Sequence, residues 1–349
     1  MLLQENVPLA PLTTFRIGGP ARFFVEARSI ADVQEAVACA RGQRLSLFVL
    51  GGGSNLVVSD SGWPGLVLKI AIEGIERTPD QEGKAIFEVG AGESWDTFVA
   101  RAVAANCAGI ECLSGIPGSV GGTPVQNVGA YGQEVSETIE SVEVFDLKDD
   151  QIRELCREAC GFSYRTSIFN TIERGRFIIL RVIYALVPDG KPHLEYADLK
   201  RYFEGRSSDP TLAETREAVR QIRARKGMLI VEGDPDSRSA GSFFKNPVLS
   251  EDQHEALRKR AAGKNLTVIS YPGLDRTRKA SAAWLVENSG FPRGYCLGQA
   301  GISTKHALAI VNRGGATAGE ILALKEKIQH RVEEVWGIRL EPEPVFVGM

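Results

Sequence analysis

The sequence predicts a protein of mixed helix and strand in two or three domains, and three observations predict it. Its 349 residues suffice for a sizeable core. Short apolar or alternating runs that read as strands are interspersed with capped segments whose apolar residues recur at helical spacing. Composition then shifts over 188–210, where Pro188, Gly190, Pro192, Gly205, Ser207, Ser208 and Pro210 cluster, and this marks the best domain boundary.

Taken in order, Phe15 to Ile17 read as a short strand broken by Gly18, Gly19 and Pro20, with a second strand over 21–25. Ser29 and Asp32 cap a helix whose apolar positions are Val33, Ala36, Val37 and Ala40, and Gly42 ends it. An apolar strand over 45–50 runs directly into Gly51, Gly52, Gly53, Ser54 and Asn55, and another strand follows over 56–59. The glycines therefore lie between two strands with no lysine after them. A dinucleotide fingerprint or a phosphate-binding Walker loop would open a helix, so this is neither.

Residues 66–70 and 85–89 read as strands, and 94–106 as an amphipathic helix with Trp95, Phe98, Val99 and Val103 on one side. That helix delivers the chain into 115–132, where six of eighteen residues are glycine and Pro117 and Pro124 stiffen the turns. Such a segment makes a poor helix and a poor central strand. It is suited to wrapping a flat or phosphorylated ligand with main-chain N–H groups; the alternative is a surface loop without a ligand. Strands follow over 139–147 and 177–186. Asp209 and Pro210 start a helix that runs to Lys226 and stops at Gly227. Its Arg216, Arg220 and Arg223 share one face, which is either solvated or turned toward a pyrophosphate. The patterning then gives a helix over 280–288, a strand over 304–311, and a helix over 317–336 with a Thr317/Glu320 capping box.

A formal net charge of −3 supplies no electrostatic reason to expect nucleic acid or an anionic membrane as partner. There is no basic, apolar leader at the N-terminus and no apolar run of membrane-spanning length, so the expectation is a cytoplasmic protein. The six cysteines contain no CxxC pair and read as buried, reduced thiols. Cys156 and Cys160 could share a helix face but lack further ligands, so no metal is expected.

Three short segments could carry chemistry. Arg165, between two strands in a loop with Tyr164, could hold a carboxylate in a bidentate fork. Ser242, in Gly241-Ser242-Phe243-Phe244-Lys245-Asn246-Pro247, has its backbone fixed by neighbouring aromatics and could be a nucleophile, a proton donor or a cap. None of His193, His254, His306 and His330 has the context of a Ser-His-Asp triad, which argues against nucleophilic hydrolysis. Strand alternation puts Glu341 and Glu343 on one face, where either could serve as an acid or base; spacing does not choose between them.

Taken jointly, Thr14-Phe15-Arg16-Ile17-Gly18-Gly19, Gly51-Gly52-Gly53-Ser54-Asn55, the run from Gly115-Ile116-Pro117-Gly118 to Asn127-Val128-Gly129-Ala130-Tyr131-Gly132, Tyr164-Arg165, the Ser242 motif and Leu340-Glu341-Pro342-Glu343 resemble the UDP-N-acetylenolpyruvoylglucosamine reductases, flavoenzymes of bacterial cell-wall precursor synthesis. The resemblance runs from about residue 13 to 348, in family order. It implies an α+β fold: a vanillyl-alcohol-oxidase/PCMH-type FAD-binding domain over 13–200, made of two α+β subdomains that divide near 65–75. A smaller α/β substrate domain over 210–337 and a C-terminal strand over 338–349 complete it.

The resemblance further implies non-covalent FAD, NADPH as reductant, UDP-N-acetylglucosamine enolpyruvate as substrate and UDP-N-acetylmuramate as product. It suggests a monomer without nucleic-acid or membrane partners. By position, the FAD contacts are Gly51, Gly52, Gly53, Ser54, Asn55, Ile116, Pro117, Gly118, Ser119, Gly121, Gly122, Gln126, Gly129, Ala130, Tyr131 and Arg223. Arg165 matches the arginine acting on the enolpyruvyl carboxylate, Ser242 the proton donor and Glu343 the carboxylate that assists it. Tyr196, in the context of a substrate-covering loop, and Lys226 and Asn246 match substrate contacts. Two other classes stay open: a flavin oxidase on the same FAD domain, and a non-catalytic nucleotide-binding module.

Overall fold

The computed structural model describes residues 1–273 and 275–349. The chain divides into two compact units: one of Met1–Val7, Ala21–Gly53 and Trp63–Arg225, the other of Pro8–Pro20, Ser54–Gly62 and Lys226–Met349.

The first unit is built on two sheets. A four-stranded sheet has the order Gln4–Pro8, Pro20–Ala27, Trp63–Ile70, Leu47–Leu50, its last three strands parallel. Helix α1 (Ile30–Gly42) packs its Val33, Ala36, Val37 and Ala40 stripe inward behind a complete Ser29/Asp32 capping box. The larger sheet runs Gln151–Cys156, Ile139–Asp146, Phe177–Pro188, Ala85–Gly90, Ile75–Arg77, antiparallel throughout, with Cys107–Ala108 pairing the end of its central strand. Helix α2 (Trp95–Ala104) buries Trp95, Phe98, Val99, Ala102 and Val103 against it. Phe98 lies 4.9 Å from Tyr184, ring centre to ring centre; each such buried aromatic contributes about 1.5–3 kcal/mol. A smaller cluster of Cys112, Tyr131, Leu199, Ala218, Val219 and Ile222 seats α3 (Ala197–Tyr202) and α4 (Leu212–Arg225).

The second unit has two three-stranded antiparallel sheets, Val248–Leu249/Arg278–Ala280/Ser270–Pro272 and Cys296–Leu297/Ala300–Ile302/Ile310–Asn312. Helices α5 (Glu251–Ala262), α6 (Ala282–Glu287) and α7 (Ala318–Trp336) cover them. Along α7, Ile321, Leu324, Ile328, Val332 and Trp336 are buried at helical spacing. Its start carries the expected Thr317/Glu320 box, and the Asp60 carboxylate also accepts the amides of Ala318 and Gly319. The tail strand Val345–Val347 pairs in parallel with Leu56–Val58.

Several expectations are corrected. Residues 15–17 are not a strand: the Arg16 amide donates to the Thr13 carbonyl to close a turn, and Arg16 sits at φ 57°. Helix α4 starts at Leu212, two residues after Pro210, because Thr211 and Glu214 exchange capping hydrogen bonds there. The 304–311 strand shrinks to Ile310–Asn312, since the Ser303 hydroxyl accepts the amides of Lys305 and His306 and folds 303–306 into a turn. The hairpin partner Gln151–Cys156 carries no apolar alternation and was not foreseen. Only Cys107, Cys112 and Cys160 are buried; Cys156 and Cys296 are exposed and Cys39 is half-buried. Burial pushes the Cys160 thiol up to about 12 and the Cys112 thiol higher still, which makes both inert. No helix among the described residues is long and apolar enough to cross a membrane.

Candidate active site

In the first unit the two glycine-dense segments meet. A Cβ on Gly52 would stand 2.5 Å from the Gly118 Cα and 2.5 Å from the Ser119 nitrogen, and one on Gly51 would stand 2.9 Å from the Ser119 Oγ. Only glycine lets these backbones approach so closely. Gly118 itself has φ 128°, a conformation that a side chain would strain. Ser119 is 7 % exposed, and its hydroxyl is buried without a hydrogen-bond partner. Such a group costs about 1–3 kcal/mol unless a ligand satisfies it. A backbone cradle that a Cβ would fill, with an orphaned hydroxyl in its wall, fits a phosphorylated cofactor.

The rest of the 115–132 segment is held by specific bonds. The buried Asn127 side chain donates to Glu134 (2.8 Å) and to the Ser163 carbonyl (3.1 Å), and accepts the Ser136 amide (3.1 Å). Val120–Gly122, a single helical turn, carries Gly121 and Gly122, while Ile116, Pro117 and Gln126 are half-buried. Gly129–Ala130 pairs with Gln133–Glu134. Tyr131 is buried at φ 50°, and its ring meets the half-exposed Tyr196 edge-on at 5.3 Å.

Arg165 sits at φ 54° in a tight loop closed by the Ser163–Thr166 bridge, and its Nη2 donates to the Gly129 carbonyl at 2.7 Å. With Asn127 at φ 45°, three non-glycine residues of this one region adopt the left-handed conformation, at a cost of about 1–2 kcal/mol each for Tyr131 and Arg165, whereas asparagine adopts it readily.

The arginine face of α4 is neither solvated nor free for a pyrophosphate along its length. Arg216 binds Asp96 in a fork at 2.6 and 2.9 Å, and Arg220 adds a bond at 2.7 Å. Burial raises the Asp96 carboxyl, but the two arginines and the Gly115 amide outweigh it and hold it below its ordinary value. Arg223 is 8 % exposed and donates to the Gly115 carbonyl. Burial pushes its guanidinium down from the usual range, partly offset by Tyr131 and Asp96. This network fixes the entry to the glycine segment.

In the second unit, Ser242 and Glu343 are brought together by backbone pairing. The Lys245 amide donates to the Glu341 carbonyl, the Glu343 amide donates to the Phe243 carbonyl, both at 2.9 Å, and Phe244 bridges Pro342. The Glu343 carbonyl also accepts the Asn55 side chain at 3.2 Å. Pro342 and Pro344 remove the donors that a longer ladder needs, so regular strand begins only at Val345. Glu341 is exposed and lies 3.7 Å from Lys245, whereas Glu343 is half-buried beside the serine segment.

Ser54 joins this unit through its carbonyl, which accepts the Thr14 hydroxyl at 3.2 Å. The Asn246 side chain accepts the Ala282 amide at the start of α6, and Lys226 is half-buried in a turn. One neighbour was missed from sequence: His306 Nε2 lies 3.4 Å from Ser242 Oγ. Sixty-four positions separate the two, and no periodic signal links them. Among the described residues no group of three or more His, Cys, Asp and Glu side chains could hold a metal ion.

Residues 234–347 match the model for the UDP-N-acetylenolpyruvoylglucosamine reductase C-terminal domain, and residues 21–155 match a model for an FAD binding domain. The UDP-N-acetylenolpyruvoylglucosamine reductase of Thermobifida fusca is 46% identical over 354 residues, covering 99% of this chain and 98% of its own. The chain belongs to the UDP-N-acetylenolpyruvoylglucosamine reductase family. The reductase of that name from Pseudomonas aeruginosa is 39% identical, covering 98% of each chain. The crystal structure of the Thermus caldophilus reductase aligns with a TM-score of 0.65 at 29% identity, over 99% of this chain and 100% of that one. Family membership makes this protein an FAD-dependent oxidoreductase, and the cradle of the first unit fits that cofactor.

Proposed function

We propose that the chain reduces the enolpyruvyl ether of UDP-N-acetylglucosamine to UDP-N-acetylmuramate, acting as a cytoplasmic monomer. FAD, when bound and reduced by NADPH, would supply the hydride. In this reading residues 13–200, joined by Arg223, hold the cofactor, 210–337 receive the sugar nucleotide, and 338–349 bring Glu343. Within the first span, the backbone of Gly51, Gly52, Gly53, Gly118, Gly121 and Gly122 and the Ser119 hydroxyl cradle the phosphates. Ile116, Pro117, Gln126, Gly129, Ala130, Tyr131 and Arg223 flank the cofactor, with Ser54 and Asn55 at the end of the first loop. Tyr196, Lys226 and Asn246 contact the substrate.

Addition of hydride to C3 of the enolpyruvyl group leaves negative charge spread from C2 into the carboxylate. Arg165 stabilises that charge with a cationic fork. Ser242 protonates C2, and Glu343 assists it. The observation that carries this assignment is the pairing of Glu343 with Phe243, which sets the tail glutamate beside the serine segment.

Anaerobic stopped-flow of Ser242→Ala tests it. Flavin reduction by NADPH should stay near the wild-type rate, while reoxidation by the enolpyruvyl sugar slows about 10²–10⁴-fold through loss of the acid. Equal losses in both half-reactions, or none in either, would remove Ser242 from the role.

A further inference from the structure

The turn that carries His306 is fastened from two sides. Asp236, 6 % exposed, accepts the Thr304 amide at 2.9 Å and the Thr304 hydroxyl at 2.5 Å, while Asp234 pairs with the Lys305 ammonium at 2.5 Å. Ser303 closes the turn from within through the Lys305 and His306 amides. On the far side the Leu308 carbonyl accepts the Phe243 amide at 2.8 Å, next to Ser242. Gly227 turns the chain beside this packing at φ 65°, a conformation that a side chain would strain. Two acidic residues and a glycine of a segment without regular structure beyond one short turn thus converge on four residues whose last side chain reaches the Ser242 hydroxyl.

We infer that His306 is a positioning residue for Ser242, donating from Nε2 to the serine Oγ, and that Asp234 and Asp236 hold it in place through the 303–306 turn. The inference rests on Ser242 being the proton donor. A serine hydroxyl rotates freely, and its hydrogen is useful only when directed at the substrate carbon. A donor on the oxygen occupies a lone pair and leaves the serine's own hydrogen to point elsewhere. The 3.4 Å separation is long for a hydrogen bond, and a small rotamer shift shortens it, as happens in sites that tighten when substrate binds.

His306→Ala should leave flavin reduction by NADPH unchanged and slow reoxidation by the enolpyruvyl sugar at least about tenfold, since misplacing a reacting group by about 1 Å costs up to 10²-fold. His306→Gln keeps an N–H donor and should recover most of that loss. Thr304→Val, at an exposed position, removes one bond to Asp236 without emptying the core and should slow reoxidation alone by a smaller factor.

Nitrogen-15 NMR of histidine-labelled holoprotein gives a readout independent of turnover. The His306 Nε2 should carry a proton, and its resonance should move in Ser242→Ala and in Asp236→Ala. A wild-type reoxidation rate in His306→Ala overturns the inference. So do equal losses in both half-reactions that glutamine does not repair, or an unprotonated Nε2 that ignores Ser242→Ala. If Ser242→Ala itself reoxidises normally, the assignment of the proton donor fails, and that result is distinct from a failure confined to the His306 variants.

Discussion

Replacing Gly52 with alanine should separate the two cofactor loops and weaken FAD binding. The added Cβ would sit 2.5 Å from the Gly118 Cα, 2.5 Å from the Ser119 nitrogen and 2.6 Å from the Gly118 carbonyl carbon. Carbon atoms in good contact lie about 3.5–4.0 Å apart, so one backbone must retreat by about 1 Å. No flexible side-chain end can absorb the overlap, because all of the opposing atoms are main chain. Forcing an extra methyl into a packed contact costs about 1–3 kcal/mol. Both partners lie in loops, so the loops move rather than the sheet, and under the proposed cofactor assignment the cost appears in FAD affinity. At about 1.4 kcal/mol per tenfold, the FAD dissociation constant should rise roughly 5–150-fold. The assay is the flavin-to-protein ratio after gel filtration, followed by fluorescence titration of deflavinated protein with FAD. Gly42→Ala is the control, since its Cβ meets nothing within 4 Å; it should leave FAD affinity unchanged. A Gly52→Ala protein that retains full flavin and wild-type affinity would refute the shared-cradle reasoning.

Asp96→Asn should destabilise the protein by about 1–3 kcal/mol at neutral pH by leaving Arg216 and Arg220 without their carboxylate. Because the folded-state pKa of Asp96 is depressed, the wild-type advantage is complete above the unfolded value of about 3.9. It is lost as pH falls through the lower folded value, and melting curves of both proteins against pH should converge there. Tyr184→Phe removes the buried hydroxyl pair with Thr123 (2.8 Å), but Thr123 keeps the Val120 carbonyl as acceptor. The loss in urea denaturation should therefore be only about 1 kcal/mol. Arg165→Lys keeps the charge and loses the fork, so kcat/KM for the enolpyruvyl sugar should fall about 10–100-fold through the reoxidation half-reaction; an unchanged value would remove Arg165 from the carboxylate.

Local rules made much of this protein legible. The Ser29/Asp32 and Thr317/Glu320 capping boxes appear where the residue types put them, because a cap is satisfied by amides three positions away. The buried stripe of α2 follows from spacing alone. The glycine segments were recognisable as places of close backbone approach because only glycine tolerates it, although the sequence did not say that Gly52 would face Gly118. The same local reasoning failed where side chains redirected the backbone: the Ser303 hydroxyl turned an apparent strand into the His306 turn, and paired prolines shortened the tail strand.

By itself the sequence determined helices α1, α2, α4, α6 and α7 and the longer strands of the first unit, though neither α3 nor α5 nor most of the short strands, together with the two glycine loops and, through ordered motifs spread over nearly the whole chain, the family. These are consequences of neighbours within a few residues, or of residue types matched one by one. The tertiary structure alone decided that Asp96 consumes two of the three arginines that share one face of α4, that Glu343 rather than Glu341 is withdrawn beside the serine segment, and that His306 reaches Ser242. Each of those depends on chain segments tens to hundreds of positions apart meeting at hydrogen-bond distance. Such a meeting is set by how sheets and helices pack, and packing leaves no local trace in residue spacing.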